Sequence, residues 1–144
     1  MKNSNNKKFT CKGINNALAL LESNRFEILS IDILKGGRAY GDPRLKNLID
    51  NHLVSHFSKN QFYKKYNDGR TQGIIVEFSG KLIESRLPDF KNKSNVCLLA
   101  LDQIEDPQNF GQIIRTAECS GINGILFPKH HSVSITQRVL QVSQ

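Results

Sequence analysis

No stretch of this 144-residue chain approaches the run of about 18 apolar residues that a membrane-spanning helix needs, which excludes a helical membrane protein. The first eight residues, Met1–Lys8, are polar and lysine-rich, and no apolar segment follows them. A secretory signal is therefore not expected, and the expected location is cytoplasmic. Cysteine is scarce. Cys11, Cys97 and Cys119 form no CxxC pair and no metal-ligand spacing, so reduced, packed thiols are expected rather than disulfides or zinc. His130-His131 has no cysteine or carboxylate at a ligand spacing, and no metal site is expected there. Internal repeats are absent. Acid is outnumbered in the front part: residues 1–94 hold 17 Lys+Arg against 9 Asp+Glu, whereas residues 95–144 hold 3 against 4. A basic front beside a near-neutral back fits either a polyanion-binding surface or a merely solvated lysine-rich one.

What is present is an alternation of helical and strand patterns, which implies an α/β layer structure. Residues 1–8 read as a disordered basic tail. Ile14, Ala17, Leu18 and Leu21 form one helical stripe. Phe26–Leu34 reads as a strand, broken by Lys35-Gly36-Gly37-Arg38. Asp42-Pro43 starts a helix with Leu45, Leu48 and Ile49 inward. Leu53–Phe57 is a short strand. Ser58 caps a helix bearing Phe62, Tyr63 and Tyr66, and Asn67-Asp68-Gly69 is a turn. Gly73–Phe78 is another strand. Residues 80–95 read as a linker with a short helix around Leu82–Leu87. The run Val96–Leu101 suits a central parallel strand, buried on both faces. Asp106-Pro107 opens a helix with Phe110, Ile113, Ile114 and Ala117 as its core stripe, and Gly121 stops it. Gly124–Phe127 is a strand, and Thr136 caps a last helix.

The chemistry is concentrated between Leu101 and Ala117. A loop after a buried parallel strand lies at the sheet edge where α/β proteins bind ligands. The helix start at Asp106-Pro107 is expected to offer backbone N–H groups to a phosphate. On a helical wheel Gln108, Gly111 and Arg115 share the face away from the expected core. A glycine there suits close approach of a ligand to the helix backbone, with Arg115 projecting over it one turn later as a ribose–phosphate contact. The same residues admit a plain reading: a solvated arginine, a tight helix–helix contact at Gly111, and Asn109 as a secondary cap.

The pattern Asp-Pro-x-Asn-x-Gly-x-Ile-x-Arg-Thr-Ala at 106–117, followed by Gly121 and an apolar strand, resembles the first signature motif of the SpoU family within the knotted SPOUT methyltransferases. Lys12-Gly13-Ile14 and Gln72-Gly73-Ile74-Ile75-Val76 resemble the start and end of the L30e-like substrate-binding domain that such enzymes carry. The resemblance implies a small L30e-like α/β/α domain at 9–80, a linker at 81–95, and the first part of a parallel-sheet SPOUT domain at 96–144. It also implies methyl transfer from S-adenosylmethionine to an RNA ribose 2′-hydroxyl, in rRNA or tRNA, by a homodimer. Asn109 matches the asparagine that orients the arginine and ribose. Arg115 matches the arginine that activates the hydroxyl or binds its phosphate. A free-base role for Arg115 is improbable at a pKa above about 12, so electrostatic help is the easier chemistry.

For RNA, the candidate surface is Lys35, Arg38, Arg44, Lys59, Lys64, Lys65 and Arg70, with Tyr63 and Tyr66 for stacking. Packed tyrosines and solvated lysines are the alternative. The family's second and third motifs supply its cofactor loops and knot, and the chain ends before them. No cofactor-binding residue is therefore expected within it, and the chain alone is expected not to methylate RNA. The alternatives are a non-catalytic RNA-binding module and a gene remnant.

Overall fold

Glycine placement and apolar periodicity set the first structural unit. The computed structural model describes residues 7–50, 52–67, 69–91, 94–129 and 132–144. These fall into two compact units, Met1–Lys81 and Leu82–Gln144. The expected tail at 1–6, and also Asp68 and His130-His131, lie outside the described residues.

In the first unit, strand β1 (Lys8–Lys12) precedes helix α1 (Ile14–Ser23), and β2 (Glu27–Leu34) precedes α2 (Pro43–Ile49). Strand β3 (Val54–Phe57), helix α3 (Lys59–Lys65), a 3-10 turn at Gly69–Thr71 and strand β4 (Ile74–Ser79) follow. The sheet order is β1-β4-β2-β3, with β2 parallel to β3 and the other pairs antiparallel. Strand β1 corrects the sequence expectation, which ran the disordered tail through residue 8. Its alternation is short, and only the partner β4 makes it a strand. Phe9 and Cys11 point inward and pair with Phe78 and Val76.

Side-chain parity divides the sheet into two unlike faces. One presents Phe9, Cys11, Ile31, Ile33, Ile74, Val76 and Phe78, all buried. Helix α1 packs against β1 and β4 and buries its stripe Ile14, Ala17, Leu18 and Leu21, as its spacing predicts. The other face is apolar only toward one end, where Leu34 and Ile75 meet Phe62 of α3, with Phe57 and Tyr66 beside them.

The two glycine-bearing segments at 12–14 and 72–74 meet in space. Gly13, at φ 89°, donates its N–H to the Ile74 carbonyl at 3.4 Å. Gln72 Oε1 accepts the Ile14 N–H at 2.9 Å, satisfying an otherwise unpaired donor in the first turn of α1. Asp42 caps α2 through the Arg44 N–H, and Pro43 stands at its first position. Leu45 is the one fully buried residue of that helix, and Leu48 and Ile49 are only half-buried.

In the second unit, β5 (Leu98–Ala100) runs parallel to β6 (Gly124–Leu126), joined through α4 (Pro107–Cys119), and α5 (Gln137–Ser143) follows. No regular helix occupies 82–87. The run Val96–Leu101 also departs from expectation. It forms a three-residue strand with a single partner, half-buried to exposed, and Val96 is exposed. A doubly covered strand needs layers on both faces, and the described residues supply one partner strand. Gly121 ends α4 at φ 70°, and the Ile122 N–H reaches back to the Ala117 carbonyl at 3.0 Å. Phe110 packs edge-on against Phe127, centroids 5.1 Å apart.

Candidate functional site

The motif segment folds as strand, loop and capped helix, and its first turn is closed by its own residues. Asp106 accepts the N–H groups of Gln108 at 3.3 Å and Asn109 at 2.9 Å. Its carbonyl takes the Phe110 N–H, and Pro107 has none to give. The expectation of a phosphate cradled by this helix start is therefore corrected: Asp106 already supplies the negative charge and acceptors that a phosphate would bring.

Helix α4 has two working faces. Asn109, Gln112, Ile113, Thr116, Ala117 and Ser120 recur at helical spacing and line an open cleft of about 550 Å³, completed by Leu99 of β5, Ile104 of the loop and Ile122. Loop residue Gln103 holds a left-handed backbone at φ 51° just before Ile104. The second face carries Gly111 and Arg115 and lies against α5. A β-carbon on Gly111 would sit 2.6 Å from Val142 Cβ and 3.0 Å from the Val139 carbonyl oxygen. Gly111 is buried, and its close neighbour is α5 of the same unit. This corrects its assignment to an RNA-contacting face; of the two readings open in the sequence, the helix–helix contact is the one found. The expected stripe shifts accordingly: Phe110, Gly111 and Ala117 are buried, while Ile113 faces the cleft.

Asn109 and Arg115 are six residues apart, so their side chains leave the helix about 120° from one another. Asn109 faces the cleft. The Arg115 guanidinium donates to the main-chain oxygen of Gln144 at 2.9 Å, a cation at the C-terminal end of α5.

In the first unit, the turn after β2, the start of α3 and the 3-10 turn before β4 gather at one end of the sheet, since β2 and β3 finish there and β4 begins. Lys35 and Arg38 are exposed in the first of these, Lys59 in the second and Arg70 in the third. Lys64, in the last turn of α3, is exposed as well. Two of the predicted cations are already committed. Arg44 holds Asp42 through Nε at 3.0 Å and Nη2 at 2.7 Å. Lys65 Nζ lies 2.6 Å from the carboxylate of Asp32, which also accepts from the Tyr66 hydroxyl at 2.5 Å. Asp32 is buried, so Lys65 and Tyr66 satisfy a charge inside the fold rather than forming a stacking surface. The hydrogen bond to Asp32 raises the Lys65 ammonium above its ordinary range. Burial first, then the bond to Asp32, pushes the Tyr66 phenol up to about 12. Sequence reasoning missed Asp32; its cue is a lone acid within the apolar run Ile31–Leu34.

The profile of the SpoU rRNA Methylase family matches residues 97–144. The chain is 32% identical over 140 residues to the 23S rRNA (guanosine-2′-O-)-methyltransferase RlmB of Haemophilus influenzae, covering 91% of this chain and 55% of that protein. It is 48% identical over 103 residues to a Staphylococcus aureus protein assigned to the TrmH family of tRNA/rRNA methyltransferases, covering 69% of this chain and 42% of that one. The chain thus spans about half the length of the relatives it matches. Among solved structures, an AdoMet-bound rRNA methyltransferase from Sinorhizobium meliloti aligns with a TM-score of 0.62 at 16% identity, over 94% of this chain and 49% of that one. The SpoU methyltransferase AviRb of Streptomyces viridochromogenes, in complex with AdoMet, aligns at 0.60 with 14% identity, over 94% of this chain and 51% of that one. Those two likenesses speak to the fold. Motif helix, family match and relatives agree that residues 97–144 carry a segment of the SpoU rRNA Methylase family.

Proposed function

We propose that this chain is the RNA-binding unit and motif helix of an RNA ribose 2′-O-methyltransferase that uses S-adenosylmethionine and acts on rRNA or tRNA. The observation that carries the proposal is α4 itself: a family-matched helix presenting Asn109 to an open cleft beside a parallel strand pair. In this reading residues 9–80 are the L30e-like substrate-binding domain and 81–95 its linker. Asn109 hydrogen-bonds the target ribose. Arg115, once released from Gln144, neutralises the adjoining phosphate. Both act by orientation and charge, which is what a poor hydroxyl nucleophile most needs. The homodimer implied by the family and the cytoplasmic location expected from the sequence belong to the same proposal.

S-Adenosylmethionine supplies the methyl group in this chemistry. Its methionine end carries an ammonium and a carboxylate, and burying a charge is costly unless it is paired with an opposite charge and hydrogen-bonded. Among the described residues the cleft offers Asn109, Gln112, Thr116 and Ser120 between apolar neighbours and no ionised side chain. Its lining does not fit the cofactor, and we infer that the 144-residue chain by itself does not transfer methyl groups.

A second reading, an RNA-binding module without catalysis, draws on charge. Residues 1–81 hold 14 Lys+Arg against 7 Asp+Glu, and residues 82–144 hold 6 against 6, so the first unit carries the whole net charge of +7. The experiment is a calorimetric titration of the chain with S-adenosylmethionine beside an RNA-binding curve at several salt concentrations. The expected result is no cofactor heat at millimolar concentration and RNA affinity falling about a hundredfold between about 50 and 200 mM salt, if about five phosphates are neutralised. Micromolar cofactor binding refutes the inactivity. Absence of RNA binding refutes the RNA-binding role.

A further inference from the structure

The turn that follows β2 holds an aromatic side chain in solvent that the motif reading does not use. Tyr40 is 53% exposed. Its backbone is nevertheless fixed on both sides. The Gly37 N–H donates to the Leu34 carbonyl at 3.0 Å, the Tyr40 N–H to the Gly37 carbonyl at 3.1 Å, and the Asp42 N–H to the Ala39 carbonyl at 3.3 Å. Gly36 supplies a left-handed step at φ 72°, and Gly37 fits so closely that a β-carbon would lie 3.1 Å from the Leu34 carbonyl oxygen. Ala39, immediately before Tyr40, is only 2% exposed and anchors the turn in the core.

The phenol ring meets His56 of β3 edge to face, centroids 5.5 Å apart and planes at 85°. His56 is itself exposed on the strand at the sheet's edge. A T-shaped contact uses at most one face of the ring and leaves the other open. Exposing a large ring on a rigid turn forgoes burial, and it pre-pays the ordering that a stacking partner would otherwise cost. The surroundings select the partner. Lys35 and Arg38 belong to the same turn, and the whole net positive charge of the chain is in this unit. An open aromatic face among cations matches a base attached to a phosphate backbone.

We propose that Tyr40, steadied by His56, is the stacking platform for an unpaired base of the RNA that this unit binds. The inference rests on the RNA-binding reading above and adds the ligand's chemistry: single-stranded or loop RNA, since a base stacked within a duplex has no free face to offer. Tyr63 and Tyr66, the aromatics that the sequence singled out, are placed differently. Tyr66 holds Asp32. Tyr63, 40% exposed and edge-on to buried Phe62, stands on α3 and not in the turn that carries Lys35 and Arg38.

The test uses the full 144-residue chain and a fluorescently labelled single-stranded RNA, followed by anisotropy at several salt concentrations, with heparin as a baseless polyanion. Tyr40→Ala is expected to weaken RNA binding about tenfold, the usual loss for one stacked base, and to leave heparin binding unchanged. The salt slope stays the same, because no cation is removed. Tyr40→Phe keeps wild-type affinity. Tyr40→Leu, which retains bulk without a π face, loses as much as the alanine variant and guards against a folding defect. Wild-type RNA affinity in the alanine and leucine variants overturns the platform while leaving RNA binding intact. Equal losses for RNA and heparin also overturn it, since the ring would then only shape the charged surface. A wild-type chain that binds neither polyanion overturns both readings.

Discussion

Replacing Gly111 by alanine tests the packing of the motif helix, because two arguments predict opposite signs. In an exposed helix interior the change stabilises by about 1 kcal/mol, the difference in helix propensity. Here the new β-carbon would lie 2.6 Å from Val142 Cβ, 2.9 Å from Val142 Cγ1 and 3.0 Å from the Val139 carbonyl oxygen. None of these atoms is the far end of a flexible side chain, so α5 as a whole must move. Overpacking of this kind costs about 1–3 kcal/mol. With contacts this short the upper part of that range applies, and the net is a loss of about 1–2 kcal/mol. The assay is hydrogen exchange at the amides of α4 and α5 together with urea unfolding. The Val142→Gly change should recover part of the loss in the Gly111→Ala background, giving a favourable coupling in a double-mutant cycle. A Gly111→Ala chain that is more stable than wild type, with unchanged protection in α5, would falsify the packing and return Gly111 to an open face.

Two further perturbations follow from named groups. Burial pushes the Cys11 thiol up to about 12 from its ordinary 9.0, and burial with the Asp32 hydrogen bond pushes the Tyr66 phenol up to about 12 from 10.0. Both folded values lie above the unfolded ones, so their contribution is complete below pH 9.0 and is lost as pH rises toward about 12. The urea midpoint of the first unit should hold steady from neutral pH to about 9 and fall above it, and Cys11→Ala should delay the onset toward about 10; a midpoint that climbs with alkali contradicts the burial of both groups. Asp106→Ala removes the cap of α4 and should cost about 1 kcal/mol, read as faster hydrogen exchange at Gln108 and Asn109, and unchanged protection there would show that the side chain is not the acceptor.

Features that depend on a few neighbouring residues are legible in the amino-acid sequence itself. Asp42-Pro43, Asp106-Pro107 and Thr136 cap helices because a short polar side chain can reach N–H groups two or three residues on, whatever lies elsewhere. The stripe of α1 and the stop at Gly121 are local in the same sense. The motif at 106–117 is local too, and it points to the SpoU rRNA Methylase family whose profile matches residues 97–144. Where the sequence misled, the deciding partner was remote. Residues 8–12 carry too little pattern to announce a strand, and β4, more than 60 residues on, supplies the pairing. Lys65 and Tyr66 look like surface groups until Asp32, 33 and 34 residues earlier, takes both.

The candidate site shows the same division. The sequence by itself determined that α4 exists, where it begins and ends, and that Asn109, Gly111 and Arg115 fall on it at fixed angles, since one helical turn fixes these relations. It also determined that the net charge gathers in the first unit, which is a matter of counting. Only the tertiary structure decided which face of α4 opens on a cleft and which is closed by α5, because a helical wheel gives directions and not neighbours. It alone decided that the first-turn N–H groups of α4 are taken, that Arg115 is held at Gln144, and that Tyr40 rather than Tyr66 is left with an open ring. Each of these depends on which remote atom arrives first at a polar or apolar surface, and that is settled by packing between elements.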